Sequence, residues 1–149
     1  MRALIQRVSK ASVRIDGKVI SAIEEGLLVY LGIKNGDTPE DARYVAEKCC
    51  SLRIFEDAGG KMNLPVSDVG GSVLAVSQFT LYGDTRKGNR PSFIDAASPD
   101  IAEPLYNAFA DHLRSLLGNK RVATGVFRAM MDIESVNDGP VTVMVESKG

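Results

Sequence analysis

The dipeptide Asp16-Gly17, set between strand-length apolar runs, constrains this chain more than any other feature. Asp-Gly is a strong signal for a two-residue hairpin, so the runs on either side are expected to pair antiparallel. Residues 3–8 and 12–15 lead into the turn, and residues 18–23 return from it. Glu25-Gly26 turns the chain again. The continuous apolar run 27–33 then reads as a buried central strand, ended by Asn35-Gly36. The first third of the chain is therefore expected to be a β-meander.

Helical signals follow. Thr38 can cap, Pro39 suits a first helical position, and Asp41 stands where a capping-box acid would. Ala42, Val45, Ala46, Cys49 and Leu52 share one helical face. Ala58-Gly59-Gly60 marks a turn, and Gly70-Gly71 precedes an apolar strand over residues 72–79. A second helix is predicted over residues 100–117, capped by Ser98 or a later residue and ended by Gly118. Its buried stripe is Leu105, Phe109, Leu113 and Leu116, while Pro104 either distorts the first turn or marks the true start. Strands over 125–136 and 141–146, joined by Asn137-Asp138-Gly139-Pro140, complete the pattern. Hairpin signals outnumber strand–helix–strand signals. The expected fold class is mixed α/β: one domain over residues 1–149, with a mostly antiparallel, curved or barrel-like sheet packed by two main helices.

Composition narrows the function classes. A chain of 149 residues, 44% hydrophobic and 25% charged, can bury a real core. No apolar run approaches the ~20 residues of a membrane span, and the strand-like opening at Arg2-Ala3-Leu4-Ile5 has no signal-peptide character, so a cytoplasmic location is expected. Cys49 and Cys50 are adjacent, which suits neither an ordinary disulfide nor a Cys-X-X-Cys site. His112 is the sole histidine, which disfavours a histidine-based zinc site. The net charge of −1 argues against a protein that coats nucleic acid, yet leaves room for a local basic patch. Arg86-Lys87-Gly88-Asn89-Arg90 and Lys120-Arg121 are the candidates, each equally readable as a solvated loop.

Two segments carry the chemistry. Ser77-Gln78-Phe79-Thr80-Leu81-Tyr82-Gly83-Asp84 ends an apolar strand with hydroxyls, an amide and a glycine. Asn137-Asp138-Gly139-Pro140-Val141-Thr142 places Gly before Pro between two strand-like runs. No Gly-X-Ser-X-Gly elbow, phosphate-binding Gly-X-X-X-X-Gly-Lys loop or Gly-X-Gly-X-X-Gly turn is present. An enzyme of this composition works by positioning and by hydrogen-bond donors aimed at developing charge. A strand ending at Gln78 exposes backbone N–H groups, and Gln78 and Thr80 add side-chain donors. Thr80 as a nucleophile lacks an evident neighbouring base, so hydrogen bonding is preferred to covalent catalysis. Gly139-Pro140 reads either as a plain turn or as a cis turn whose carbonyls capture an ammonium group.

In these segments the sequence resembles the D-aminoacyl-tRNA deacylases, first named D-tyrosyl-tRNA deacylases. Their Ser-Gln-X-Thr-Leu-Tyr-Gly and Asn-X-Gly-Pro-X-Thr signatures are both present. The opening Met1-Arg2-Ala3-Leu4-Ile5-Gln6-Arg7-Val8, residues 26–32 and Arg90-Pro91-Ser92-Phe93 extend the likeness nearly end to end. The resemblance implies a homodimeric hydrolase that cleaves the ester joining a D-amino acid, or glycine, to the 3′ end of tRNA. It implies that Gly139 and Pro140 cross into the partner's pocket, present carbonyls to the α-amino group and reject L side chains by collision. Ser77, Gln78, Phe79 and Thr80 would form the catalytic wall, with Arg7 holding the Gly-Pro turn. Ala102 and Phe127 would shape the adenosine or aminoacyl pocket, and Arg86, Lys87 and Arg90 would meet RNA. The resemblance implies no metal and no cofactor, with the RNA 2′-hydroxyl assisting. Arg128 departs from the family pattern, where glycine often follows the phenylalanine. The rival reading is a non-catalytic nucleic-acid-binding dimer of the same fold.

Overall fold

Fourteen residues, Arg2–Ile15, form one uninterrupted strand, β1. The computed structural model describes residues 1–148. Asp16 (φ 50°) and Gly17 (φ 77°) make the expected hairpin turn into β2 (Lys18–Ile23), and β3 (Gly26–Gly32) follows. Helix α1 (Pro39–Ser51) opens with a complete capping box between Thr38 and Asp41. A small hairpin, β4 (Phe55–Glu56) and β5 (Met62–Leu64), precedes β6 (Ser72–Ser77). Helix α2 (Pro99–Leu117), β7 (Val122–Thr124) and β8 (Asp132–Glu146) complete the chain.

β1 organises the sheet. One of its edges is shared by β3, from Arg2↔Gly32 to Val8↔Gly26, and by β2, from Ala11↔Ile23 to Ile15↔Lys18. The other edge pairs antiparallel with β8 from Arg2↔Glu146 to Arg14↔Asp132. β6 then adds parallel to β3, and β7 parallel to β6. The sheet is thus antiparallel around β1 and parallel beyond β3, and it curls until β2 lies near β6 and β7.

Curling creates two cores. Leu27, Val29 and Leu31 alternate toward α1 and α2, where they join Val45, Cys49, Phe109 and Leu113. Leu28 points the other way, into a smaller cluster with Val8, Val13, Leu74 and Val76. Both faces of β3 are buried, which is why its sequence is a continuous apolar run. Gly26 has a specific duty here: a Cβ would lie 1.8 Å from the Ser72 carbonyl oxygen of β6.

Four expectations need correction. Helix α2 begins at Pro99, so Pro104 lies inside it, exposed, where its missing N–H and ring face a solvent-side turn. Leu116 is 48% exposed and leaves the buried stripe, which instead includes Ala102, Tyr106 and Ala110. The strand at 72–79 stops at Ser77, and Phe79–Tyr82 is a 3-10 turn. The segment expected as a strand over 125–136 is a loop and the start of β8, the short strand β7 ending just before it at Thr124, and β8 runs through Asn137-Asp138-Gly139-Pro140 without reversing. Gln6 pairs with Thr142 and Val8 with Asn137, so β8 advances five residues while β1 advances two. The surplus is extruded as a bulge.

Candidate active site

A cavity of about 670 Å³ opens where β6 ends, between the 3-10 turn, the first turns of α2 and the loop before β8. Ser77, Gln78, Phe79, Ala102 and Phe127 all line it, as do Phe93, Ser98, Arg128 and Met131. The sequence reading therefore converges on one place from three distant segments. No acidic side chain among the described residues lines the cavity.

The 3-10 turn is held from below. Gln78 N–H donates to the Leu31 carbonyl (2.8 Å), Leu81 N–H to Gln78 O (3.2 Å) and Gly83 N–H to Thr80 O (2.9 Å). Arg2 Nη1 donates to the Leu81 carbonyl (2.9 Å), and its guanidinium lies 4.5 Å from the Tyr82 ring centroid. Gly32 lets this turn sit on β3, since a Cβ there would meet Leu81 Cβ at 3.0 Å and the Tyr82 ring at 3.2 Å. Phe79 and Thr80 are the first two residues of the turn, and their N–H groups have no intrahelical acceptor. Neither N–H donates a backbone hydrogen bond among the described residues, and Phe79, though not Thr80, lines the cavity. Gln78 Nε2 donates to Thr80 Oγ1, so the threonine hydroxyl is engaged by an amide rather than by a base.

The opposite wall is apolar. The Tyr106 hydroxyl donates to the Ala75 carbonyl (2.8 Å), and burial pushes its pKa up to about 12. Its ring packs 5.9 Å from that of Phe127. Phe93 meets Phe79 edge-on at 5.1 Å. Sequence reasoning missed Phe93 as a site residue, whereas Tyr106 stands behind Phe127 in the core rather than in the cavity lining. Nothing local marks Phe93.

Gly139, Pro140 and Arg7 do not line this cavity. They form a second construction, the β8 bulge, in which the Gly139–Pro140 peptide is cis and Gly139 has φ 121°. Asn137 Nδ2 donates to the carbonyls of Arg7 (3.0 Å) and Val141 (3.1 Å), and Thr142 Oγ1 donates to Asn137 Oδ1 (3.4 Å). Arg7, 6% exposed, donates through Nη1 to the Ile54 carbonyl (2.9 Å) and pairs through Nε with Asp138 (3.2 Å). Asn, Asp and Thr of this signature therefore tie the bulge shut, and Arg7 backs it.

The basic loop is less basic than its composition. Asp84 and Ser92 close it with reciprocal backbone bonds of 2.7 and 2.9 Å. Arg86 is tied to Asp84 at 3.0 Å (Nε) and 2.7 Å (Nη2), and these bonds hold the Asp84 carboxyl down at about 2. Lys87 and Arg90 have no acidic partner among the described residues. The cysteines sit in α1, Cys49 in the core and Cys50 half-buried, where burial raises both thiols and leaves them inert.

A ligand-sized pocket at the carboxyl end of a parallel strand, walled by neutral side chains and open main-chain donors, defines an α/β protein whose site is built from backbone rather than from a charged triad. The D-Tyr-tRNA(Tyr) deacylase family is matched over residues 4–146, and the chain belongs to that family. It is 59% identical over 148 residues to the D-aminoacyl-tRNA deacylase of Anaeromyxobacter dehalogenans, covering 99% of this chain and 98% of the relative. It is 56% identical over 148 residues to that of Halalkalibacterium halodurans, covering 99% and 100%. Among solved structures it is similar to the c-Myc DNA unwinding element binding protein (TM-score 0.95, 41% identity, 100% of both chains). A probable eukaryotic D-amino acid tRNA deacylase shares the fold (TM-score 0.84, 19% identity, 97% of this chain and 98% of the other).

Proposed function

We infer that the protein is a D-aminoacyl-tRNA deacylase, a hydrolase that serves translation quality control by releasing free D-amino acid and tRNA. Family membership and full-length likeness to enzymes of that name support the activity. The observation that carries the mechanism is that the Phe79 and Thr80 N–H groups, at the start of the turn that walls the cavity, donate no backbone bond, while no acidic side chain lines that cavity among the described residues. Donors placed there stabilise the oxyanion that forms when water, assisted by the RNA 2′-hydroxyl, attacks the ester carbonyl. One such donor is worth roughly 10²–10³ in rate. The reading needs no side-chain nucleophile, metal or cofactor.

The substrate's α-ammonium finds no carboxylate in the cavity, so its acceptors come from elsewhere. In this reading the protein is a homodimer, and the β8 bulge of one subunit reaches the pocket of its partner. The Gly139 and Pro140 carbonyls then receive the ammonium, an L side chain collides with the bulge backbone, and glycine, with no side chain, passes. Phe127 and Ala102 hold the terminal nucleoside, while Lys87 and Arg90 approach the RNA from the loop. The whole chain acts as one domain in the cytoplasm.

The test is deacylation of D-Tyr-tRNA beside L-Tyr-tRNA, with a metal chelator present. Loss of the D ester alone supports the reading, and equal loss of both overturns the rejection mechanism. Gly139→Ala places a Cβ 2.8 Å from Val141 Cγ2 and 3.1 Å from Arg7 Nη2 at φ 121°, so it should abolish most activity while tRNA affinity persists. Likeness to a DNA unwinding element binding protein favours one second reading, a nucleic-acid-binding dimer without catalysis. A folded protein that binds tRNA and hydrolyses neither ester would select it.

A further inference from the structure

We propose that Arg128 is a phosphate-binding residue that reads the phosphodiester on the 5′ side of the substrate's terminal nucleoside. Among the described residues, Arg128 is the only charged one in the cavity lining. Arg14, Arg86 and Arg114 are each tied to a carboxylate, on Glu134, Asp84 and Asp111 respectively. Arg128 is exposed and has no such partner among the described residues. Its guanidinium is therefore free to meet a ligand.

Its backbone is the second observation. Ala129 N–H donates to the Val126 carbonyl (3.2 Å), closing a turn with Phe127 and Arg128 at its centre. Arg128 has φ 67°, and among the described residues the one other non-glycine residue at positive φ is Asp16 in the hairpin. A turn of this kind favours glycine at its third position. A bulky side chain held there against that preference, at the rim of a pocket, is the pattern of a conformation kept for function.

The choice of ligand follows from position, and it rests on the deacylase reading above. The turn packs through Phe127 against Tyr106 of α2, and Phe127 with Ala102 forms the part of the cavity wall assigned above to the terminal nucleoside. An arginine at the aminoacyl end would repel the substrate's ammonium. At the nucleoside end the nearest anion of a polynucleotide is its phosphodiester, which a guanidinium fork matches in charge and geometry.

The test compares two substrates, the 3′-O-D-tyrosyl esters of adenosine and of adenosine 5′-(methyl phosphate). The wild-type protein should favour the phosphate-bearing ester by about tenfold, mostly in KM, as expected for one charge-assisted contact. Arg128→Gly, which suits the turn, should bring that ratio near one, and Arg128→Lys should keep part of it. On full D-Tyr-tRNA, Arg128→Gly should also reduce the salt slope of log kcat/KM by about one. A thermal melt of Arg128→Gly at or above the wild-type Tm shows that the fold is kept, and Arg128→Met serves as the second neutral variant. A ratio that survives in both variants overturns the proposal. So does a selective loss of D-Asp or D-Glu esters, which would make Arg128 a reader of acidic side chains. Wild-type hydrolysis of both esters at equal rates sinks this proposal alone, while hydrolysis of neither ester or D-Tyr-tRNA sinks the deacylase reading with it.

Discussion

At the scale of the residue, the site is made by side chains whose partners are fixed. Arg86 looks like an RNA contact in sequence, yet its guanidinium is bonded to Asp84, two residues back. That pairing predicts a pH dependence. The Asp84 carboxyl, at about 2 in the folded chain, lies below the ~3.9 of an unfolded aspartate. Its contribution to loop order is thus complete above pH ~3.9 and fades as pH falls toward 2. Carboxyl NMR should place the Asp84 titration near pH 2, and Arg86→Ala should return it upward by more than one unit; a midpoint near 4 in the wild type would contradict the bonded geometry. Ser77 and Gln78 were legible as cavity-lining positions because polar groups ending an apolar strand are unusual in themselves. Phe93 was not, because nothing in its local sequence marks it until its ring meets that of Phe79 at the cavity.

At the scale of the element, local chemistry is legible where one turn of chain decides it. The Thr38–Asp41 capping box and the Asp16-Gly17 hairpin are as read. Gly-Pro in β8 misled because such a pair signals a turn, whereas pairing with β1 on both flanks keeps the strand straight and extrudes the surplus. Asn137 is the clasp of that bulge. Asn137→Ala removes two bonds to main-chain carbonyls, each worth about 1 kcal/mol net. Denaturant unfolding should show a loss of about 2 kcal/mol, and D-Tyr-tRNA deacylation should fall at least tenfold because the bulge no longer holds its shape. Unaltered activity in that variant would remove the bulge from the mechanism.

At the scale of the whole molecule, the two halves of the proposed site lie apart in one chain, the cavity beneath α2 and the bulge on β8. A second copy is the economical way to unite them. Sedimentation should give twice the 16.0 kDa chain mass at micromolar concentration, and a monomer that remains fully active would refute the shared site. By itself the sequence determined the helices, the hairpin, the mixed α/β class and both signature segments, because caps, turn residues and hydrophobic period act over a few residues. Tertiary structure alone decided the parallel pairing of β3, β6 and β7, the second core inside the curled sheet and the gathering of Phe93 and Arg128 at one cavity. The physical reason is range: those arrangements depend on which faces remain unburied once the elements have formed, and that is settled by packing between residues far apart in the chain.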